Sequence, residues 1–304
     1  FWLKPGACGS GSGRGMLLAP LLAAGDGAVP VVCQGAGEEG DPAFQASAEV
    51  CALYYEDGDP TGGHRSQNAT LFVDHKASAF ELEGPGGCAI EVDQQSDRLR
   101  LAGCTGCVVW NGAVVLARTL AHWDDENVGL LSLAGVKVLE LGAGTGVLAL
   151  ACAHLGAAVV ATEQAERLRL LERNVGRHGR AAGLAWQVGR RGGSVEVQEL
   201  DWFAPGSPPP CDLVLATDVV YTEEVTLALV RCLAAIGAPA IVAVELRTEE
   251  VHYVFIEALA DAGCAAHRLP PALMAEGVRT RRVVTYVVQP AACESEGLAD
   301  KKKK

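Results

Sequence analysis

The chain has no apolar run of the ~20 residues that a membrane-spanning helix needs, so an integral helical membrane protein is excluded and no membrane partner is expected. A basic surface is missing as well. Its 304 residues include 25 Lys or Arg against 37 Asp or Glu, a formal net charge of −12, and the one basic block is Lys301 to Lys304. Neutralising phosphates takes clustered cations, so nucleic acid is not expected as a partner; the lysine run reads as a solvated tail. Metal-ligand spacing is also lacking. Cys104-x-x-Cys107 has no second Cys or His pair beside it, the seven histidines form no pair at ligand spacing, and no metal is expected. The 11 cysteines are odd in number and irregularly spaced, and several lie in apolar stretches. That pattern suits free thiols packed as small hydrophobes in a reducing, cytoplasmic compartment. Residues 1 to 25 contain no acid, carry Lys4 and Arg14, and include the apolar stretch Met16 to Ala24. A poorly ordered leader is the expectation there, with organelle targeting as the alternative.

With 49% hydrophobic residues, the chain can fill a sizeable core. Residues 1–65 lack sustained periodicity apart from one helix over Phe44 to Tyr55. Residues 66–110 offer short strand-like pieces at Thr70 to Val73, Ala89 to Val92 and Leu99 to Ala102, a small β extension that Cys107 to Trp110 would end. Leu116, Leu120 and Trp123 then follow helical spacing over Asn111 to Trp123. From Val136 onward, apolar strands alternate with helices. The strands are Val136 to Leu141, Val159 to Thr162, Val195 to Leu200, Leu213 to Thr217, Ile241 to Val244, Cys264 to Leu269 and Val283 to Val288. The helices are Gly146 to Leu155, Ala165 to His178, Glu223 to Ile236 and Glu249 to Ala262. This alternation predicts an α/β, doubly wound, seven-stranded Rossmann-like sheet over 111–290, followed by a tail over 291–304. The arginine- and glycine-rich stretch Gly179 to Ser194 is expected as a surface loop.

Ligands of such sheets bind beyond the carboxyl ends of the strands. Val138 to Gly146 reads Val-Leu-Glu-Leu-Gly-Ala-Gly-Thr-Gly, a buried strand running into Gly142, Gly144 and Gly146, where the backbone can turn sharply and approach a ligand closely. Glu163 ends the next strand, placed to accept hydrogen bonds from a ribose. A dinucleotide fingerprint would need a third glycine at Val147. Gly-x-Gly-x-Gly instead resembles the first motif of methyltransferases that use S-adenosylmethionine. Trp202 and Asp218 fall at two further strand ends.

Val109-Trp110, Leu139 to Gly146, Leu171 to Val175, Glu199 to Trp202 and Asp212 to Tyr221, with its Asp218-x-x-Tyr221 element, together resemble the methyltransferase-like protein-lysine methyltransferases of the seven-β-strand class over about residues 70 to 290. The resemblance implies that Trp110, Gly142, Ala143, Gly144, Glu163, Trp202 and Thr217 surround S-adenosylmethionine, with Trp202 against adenine and Trp110 near the methionine portion. It implies an enzyme acting on a protein that carries the acceptor lysine; a monomer is expected. Asp218 would orient the amine or the cofactor, a helix cap being its alternative role, and Tyr221 would shape the lysine channel. Two residues depart from the family pattern: Asn111 stands where an acid often follows Val-Trp, and Glu163 where Asp is common. Glu245 and Arg247 are expected either to touch substrate or to form an ion pair at the rim. Trp123 and Trp186 are expected in the core. A small molecule or a protein histidine as acceptor, or a silent partner-binding protein, are the rival readings.

Overall fold

The computed structural model describes residues 17–24, 28–32, 41–54, 72–100 and 105–290. In chain order the elements are α1 (Ala19–Ala23), β1 (Val29–Val32), α2 (Pro42–Tyr54), β2 (Ala79–Glu83), β3 (Ala89–Asp93), α3 (Asn111–Asp124), β4 (Lys137–Leu141), α4 (Val147–His154), β5 (Ala158–Glu163) and α5 (Leu168–His178). Then come β6 (Gly179–Ala182), β7 (Ala185–Val188), β8 (Gly193–Glu199), β9 (Leu213–Thr217), α6 (Glu223–Ile236), β10 (Ala240–Glu245), α7 (Glu249–Asp261), β11 (Ala265–Arg268) and β12 (Val283–Gln289).

All seven strands expected from the apolar runs form, side by side, in the order β11-β12-β10-β9-β4-β5-β8. The sheet has ten strands rather than seven, because β1 extends one edge and the β7-β6 hairpin the other. The hairpin occupies the stretch expected to be a loop. It pairs antiparallel with β8, Ala185 opposite Glu196, and its outermost strand is almost wholly exposed. An edge strand with no buried face carries no alternation to read. β1 is invisible for another reason: in four residues with Pro30 inside, the buried positions Val31 and Val32 are adjacent, so no alternation shows, and proline is tolerated where the sheet ends.

The central strands β8, β5, β4, β9 and β10 run parallel, and both of their faces are covered. Along β9, Leu213 and Leu215 pack into one hydrophobic cluster with α3, α4 and α5, while Val214 and Ala216 pack into a second with α6 and α7. Two buried faces explain why these strands read as continuous apolar runs. Helix α4 is buried at every position except its last, His154, as a helix lodged between the sheet and α3 must be. α6 is set by its ends: the Thr222 hydroxyl accepts the Val225 N–H, Glu223 and Glu224 fill the first turn, and Gly237 closes it in the left-handed region.

In the N-terminal region β2 and β3 form a two-stranded sheet, but the strand expected over Leu99 to Ala102 does not form where it is described: Ser96–Arg100 is a 3-10 turn, and 101–102 lie outside the described residues. Thr105–Cys107 is likewise a 3-10 turn. The described part of Thr70 to Val73 is not strand. Cys104, residues 1–16 and the lysine tail also lie outside the described residues. Helix α2, the helix expected over Phe44 to Tyr55, is built into the core. Its Glu49 accepts the Tyr286 hydroxyl at 2.6 Å and pairs with Arg268 at 2.8 Å, and the Tyr286 oxygen lies 2.8 Å from Nε2 of His252, whose burial drives its pKa down to about 3.

Candidate active site

Nine residues singled out from the sequence, Trp110, Gly142, Ala143, Gly144, Glu163, Trp202, Thr217, Asp218 and Tyr221, line one cleft. It holds about 780 Å³ of empty space, open mouth included. The cleft sits at the carboxyl ends of β9, β4 and β5. Gly142, Gly144 and Gly146 have φ of 71°, 56° and 87°, conformations that side chains rarely adopt. The loop is also tightly packed: a Cβ on Gly142 would stand 3.1 Å from the Trp202 indole, and one on Gly144 3.3 Å from the Gly106 carbonyl.

Because β9 and β5 flank β4 on opposite sides, Asp218 and Glu163 stand on either side of the glycine loop, roughly two strand spacings or ~10 Å apart. Glu163 is buried, which pushes its pKa up; Arg167 and backbone N–H groups of Gln164 and Gly144 oppose that shift. Its Oε2 accepts the Gln164 N–H at 2.6 Å and lies 3.4 Å from the Arg167 guanidinium.

Asp218 is the one described residue other than glycine with positive φ, 56°. This strained backbone aims its carboxylate at the first turn of α3, where a Cβ on Gly112 would fall 2.5 Å from Oδ2. Burial, helped by nearby Glu245, raises its pKa to about 7, against the pull of Arg247 and the Gly112 and Ala113 amides. Among the described residues neither carboxylate oxygen completes a hydrogen bond. The cap role considered for Asp218 is thus directed at α3, since α6 has its own cap in Thr222.

Behind Asp218 lies a set of charges. Arg247 stands 3.8 Å from Asp218 Oδ1 and 3.1 Å from Glu245 Oε2, with its guanidinium 4.3 Å above the Trp110 ring. Glu245 also takes Arg282 at 2.7 Å and the Asn111 side-chain amide at 3.3 Å. Asn111, the departure from the family pattern, therefore bridges Glu245 and the Phe72 N–H. The Trp110 indole N–H donates to the Thr105 carbonyl at 2.8 Å, while Trp123 is fully buried and Trp186 packs against the core.

Sequence reasoning missed Gly106, Gln164, Arg167 and Phe203, all in the wall of the cleft. Gly106 was hidden inside a pattern read for its cysteines; a Cβ there would fall 2.6 Å from Glu163 Oε1 and 2.8 Å from Arg167 Cδ.

A family model described as lysine methyltransferase matches residues 95–262, more than half of the chain and the whole stretch from Gly106 through Arg247. The chain belongs to the lysine methyltransferase family. Relatives within reach of that family include the protein N-lysine methyltransferase METTL21A of Danio rerio, 36% identical over 147 residues, which are 47% of this chain and 59% of the relative. The protein-lysine N-methyltransferase EEF2KMT of Mus musculus is 30% identical over 201 residues, 62% of this chain and 58% of the relative. The protein-lysine methyltransferase METTL21E of Bos taurus is 32% identical over 176 residues, 55% and 54%. The chain spans between half and three fifths of the length of these curated relatives.

Proposed function

We propose that the protein is an S-adenosylmethionine-dependent protein-lysine N-methyltransferase. The observation that carries this reading is the pair of buried acids, Glu163 and Asp218, on either side of a close-approach glycine loop inside the stretch matched by the family. The cleft suits the cofactor: Glu163 would hold the ribose hydroxyls, the backbone of Gly142, Ala143 and Gly144 would face the methionine portion, Trp202 offers an aromatic wall to adenine, and Trp110 and Thr217 close the sides. When bound, S-adenosylmethionine supplies an electrophilic methyl group on a sulfonium. The protein has to align an amine with that group and make the amine neutral. Asp218, faced by the Gly112 and Ala113 amides but with no completed hydrogen bond, and with its pKa raised by burial to about 7, is suited to receive an ammonium and take a proton from it. Tyr221, in the same cleft, flanks the channel by which the side chain enters.

The acceptor we propose is a lysine of a protein, the substrate type named for METTL21A and EEF2KMT. We propose a monomer that engages neither nucleic acid nor membrane, working in the cytoplasm; the buried thiols of Cys152 and Cys232 suit that reducing setting. Calorimetric titration with S-adenosylmethionine and S-adenosylhomocysteine, paired with Gly144→Arg, tests the cofactor. Binding by the wild type that is lost in the folded variant is the expected result. Transfer of labelled methyl to lysine in cell extract tests the acceptor. A folded wild type that binds neither compound overturns the reading, and label found only on histidine overturns its acceptor half.

A further inference from the structure

Arg247 has an unusual placement for an arginine beside a buried carboxylate. It does not close on Asp218: at 3.8 Å the pair feels each other's charge but forms no hydrogen bond. It is held back from two sides, by Glu245 at 3.1 Å and by the Trp110 ring, 4.3 Å below its guanidinium. Glu245 is in turn fixed by Arg282 and Asn111, so its carboxylate is committed to holding Arg247 and is not open to substrate. The result is a fixed positive charge next to Asp218 that uses none of the Asp218 lone pairs.

Resting on the function proposed above, we infer that Arg247 is a positioning residue that discharges the acceptor amine: clamped by Glu245 and Trp110, it makes the seat beside Asp218 unfavourable for a second cation. A lysine ammonium that enters this seat comes within about 4–6 Å of the guanidinium, where a like charge favours the neutral form. The ammonium gives one proton to the Asp218 carboxylate and thence to water, and its nitrogen keeps the lone pair as a neutral amine. The charged and polar groups facing Asp218 are Arg247 and Glu245 from the end of β10 and the Gly112 and Ala113 amides of α3. Arg282 reaches it through Glu245, and His75 through its edge contact with Trp110.

Sinefungin, which carries an amine where S-adenosylmethionine carries the transferable methyl, probes this seat without a protein substrate. Its affinity and that of S-adenosylhomocysteine are to be measured by calorimetry at pH 7 for the wild type, Arg247→Gln and Arg247→Lys. Removing the like charge should raise the preference for sinefungin over S-adenosylhomocysteine by about tenfold in Arg247→Gln. Arg247→Lys, which keeps the charge, should stay at the wild-type ratio, and S-adenosylhomocysteine should bind all three alike. An unchanged ratio in Arg247→Gln overturns the inference, as does loss of S-adenosylhomocysteine from that variant alone, which would make Arg247 a support for the cofactor. Failure of the folded wild type to bind S-adenosylhomocysteine withdraws the cofactor reading itself and this inference with it.

Discussion

The two acids of the cleft occupy matching positions and are held in opposite ways. Each ends a parallel strand next to β4, each is buried, and each has a glycine pressed against its carboxylate, Gly106 at Glu163 and Gly112 at Asp218. Glu163 already has an N–H donor and a guanidinium on one oxygen. Asp218 has charges and amides facing it but no completed hydrogen bond, and its backbone is strained to hold it there. A group that binds a stable ligand benefits from partners that fix its orientation in advance. A group that must meet a transient amine, the role proposed for Asp218, is served by open lone pairs, and the buried carboxylate of Asp218 completes no hydrogen bond among the described residues.

Substitutions on the two sides should therefore separate in what they damage. The largest effect is expected from Asp218→Asn, which retains a residue type tolerant of positive φ. Methyl transfer to lysine in extract should fall about 10²- to 10⁴-fold, with S-adenosylhomocysteine binding retained; equal loss of both would merge the two roles. Glu163→Ala should do the reverse, weakening cofactor affinity by roughly 10- to 100-fold as hydrogen bonds to a charged group are lost, visible directly by calorimetry.

The adjoining glycines offer a finer comparison. Gly106→Ala crowds Glu163 and should cost roughly fivefold in cofactor affinity, on the order of 1 kcal/mol of displaced contacts. Gly112→Ala crowds Asp218 instead and should lower the transfer rate while sparing affinity. Single-turnover rates and calorimetry on both variants would expose any crossover between the two sides.

The last prediction concerns stability, through Glu140 beneath the glycine loop. Its burial raises its pKa to about 8. A carboxyl whose folded pKa lies above its unfolded value binds more protons folded than unfolded, so its contribution favours the fold at low pH and is progressively lost as pH rises from the unfolded value toward about 8. Glu140→Gln should flatten that decline, gaining on the order of 1–3 kcal/mol near pH 9 and little at pH 4 by denaturant titration. A variant that loses the same stability at both pH values would show that the carboxyl contributes through packing rather than titration.

The glycine turn at 142–146, the acidic end of β5, the Asp218-x-x-Tyr221 element and the seven central strands were all legible in the sequence. Each is a local statement: strands buried on both faces must be apolar throughout, and close-approach turns require glycine. The edge strands β1, β6 and β7 were not legible, because a strand with an exposed face and few residues leaves no pattern. Nor was Gly106, more than 30 residues before the loop that it touches. The difference between Glu163 and Asp218 was equally hidden. Both appear in the sequence as an acid closing an apolar run, and their contrast arises from groups distant along the chain, Gly112, Glu245 and Arg247 around one and Gly106 and Gly144 around the other. Sequence alone determined that this chain builds a doubly wound sheet with a glycine loop between two acids, since periodicity and backbone freedom are properties of neighbouring residues. Which acid is satisfied and which is left open was decided only by the tertiary structure, because burial, hydrogen bonding and charge act through space between residues the sequence keeps apart.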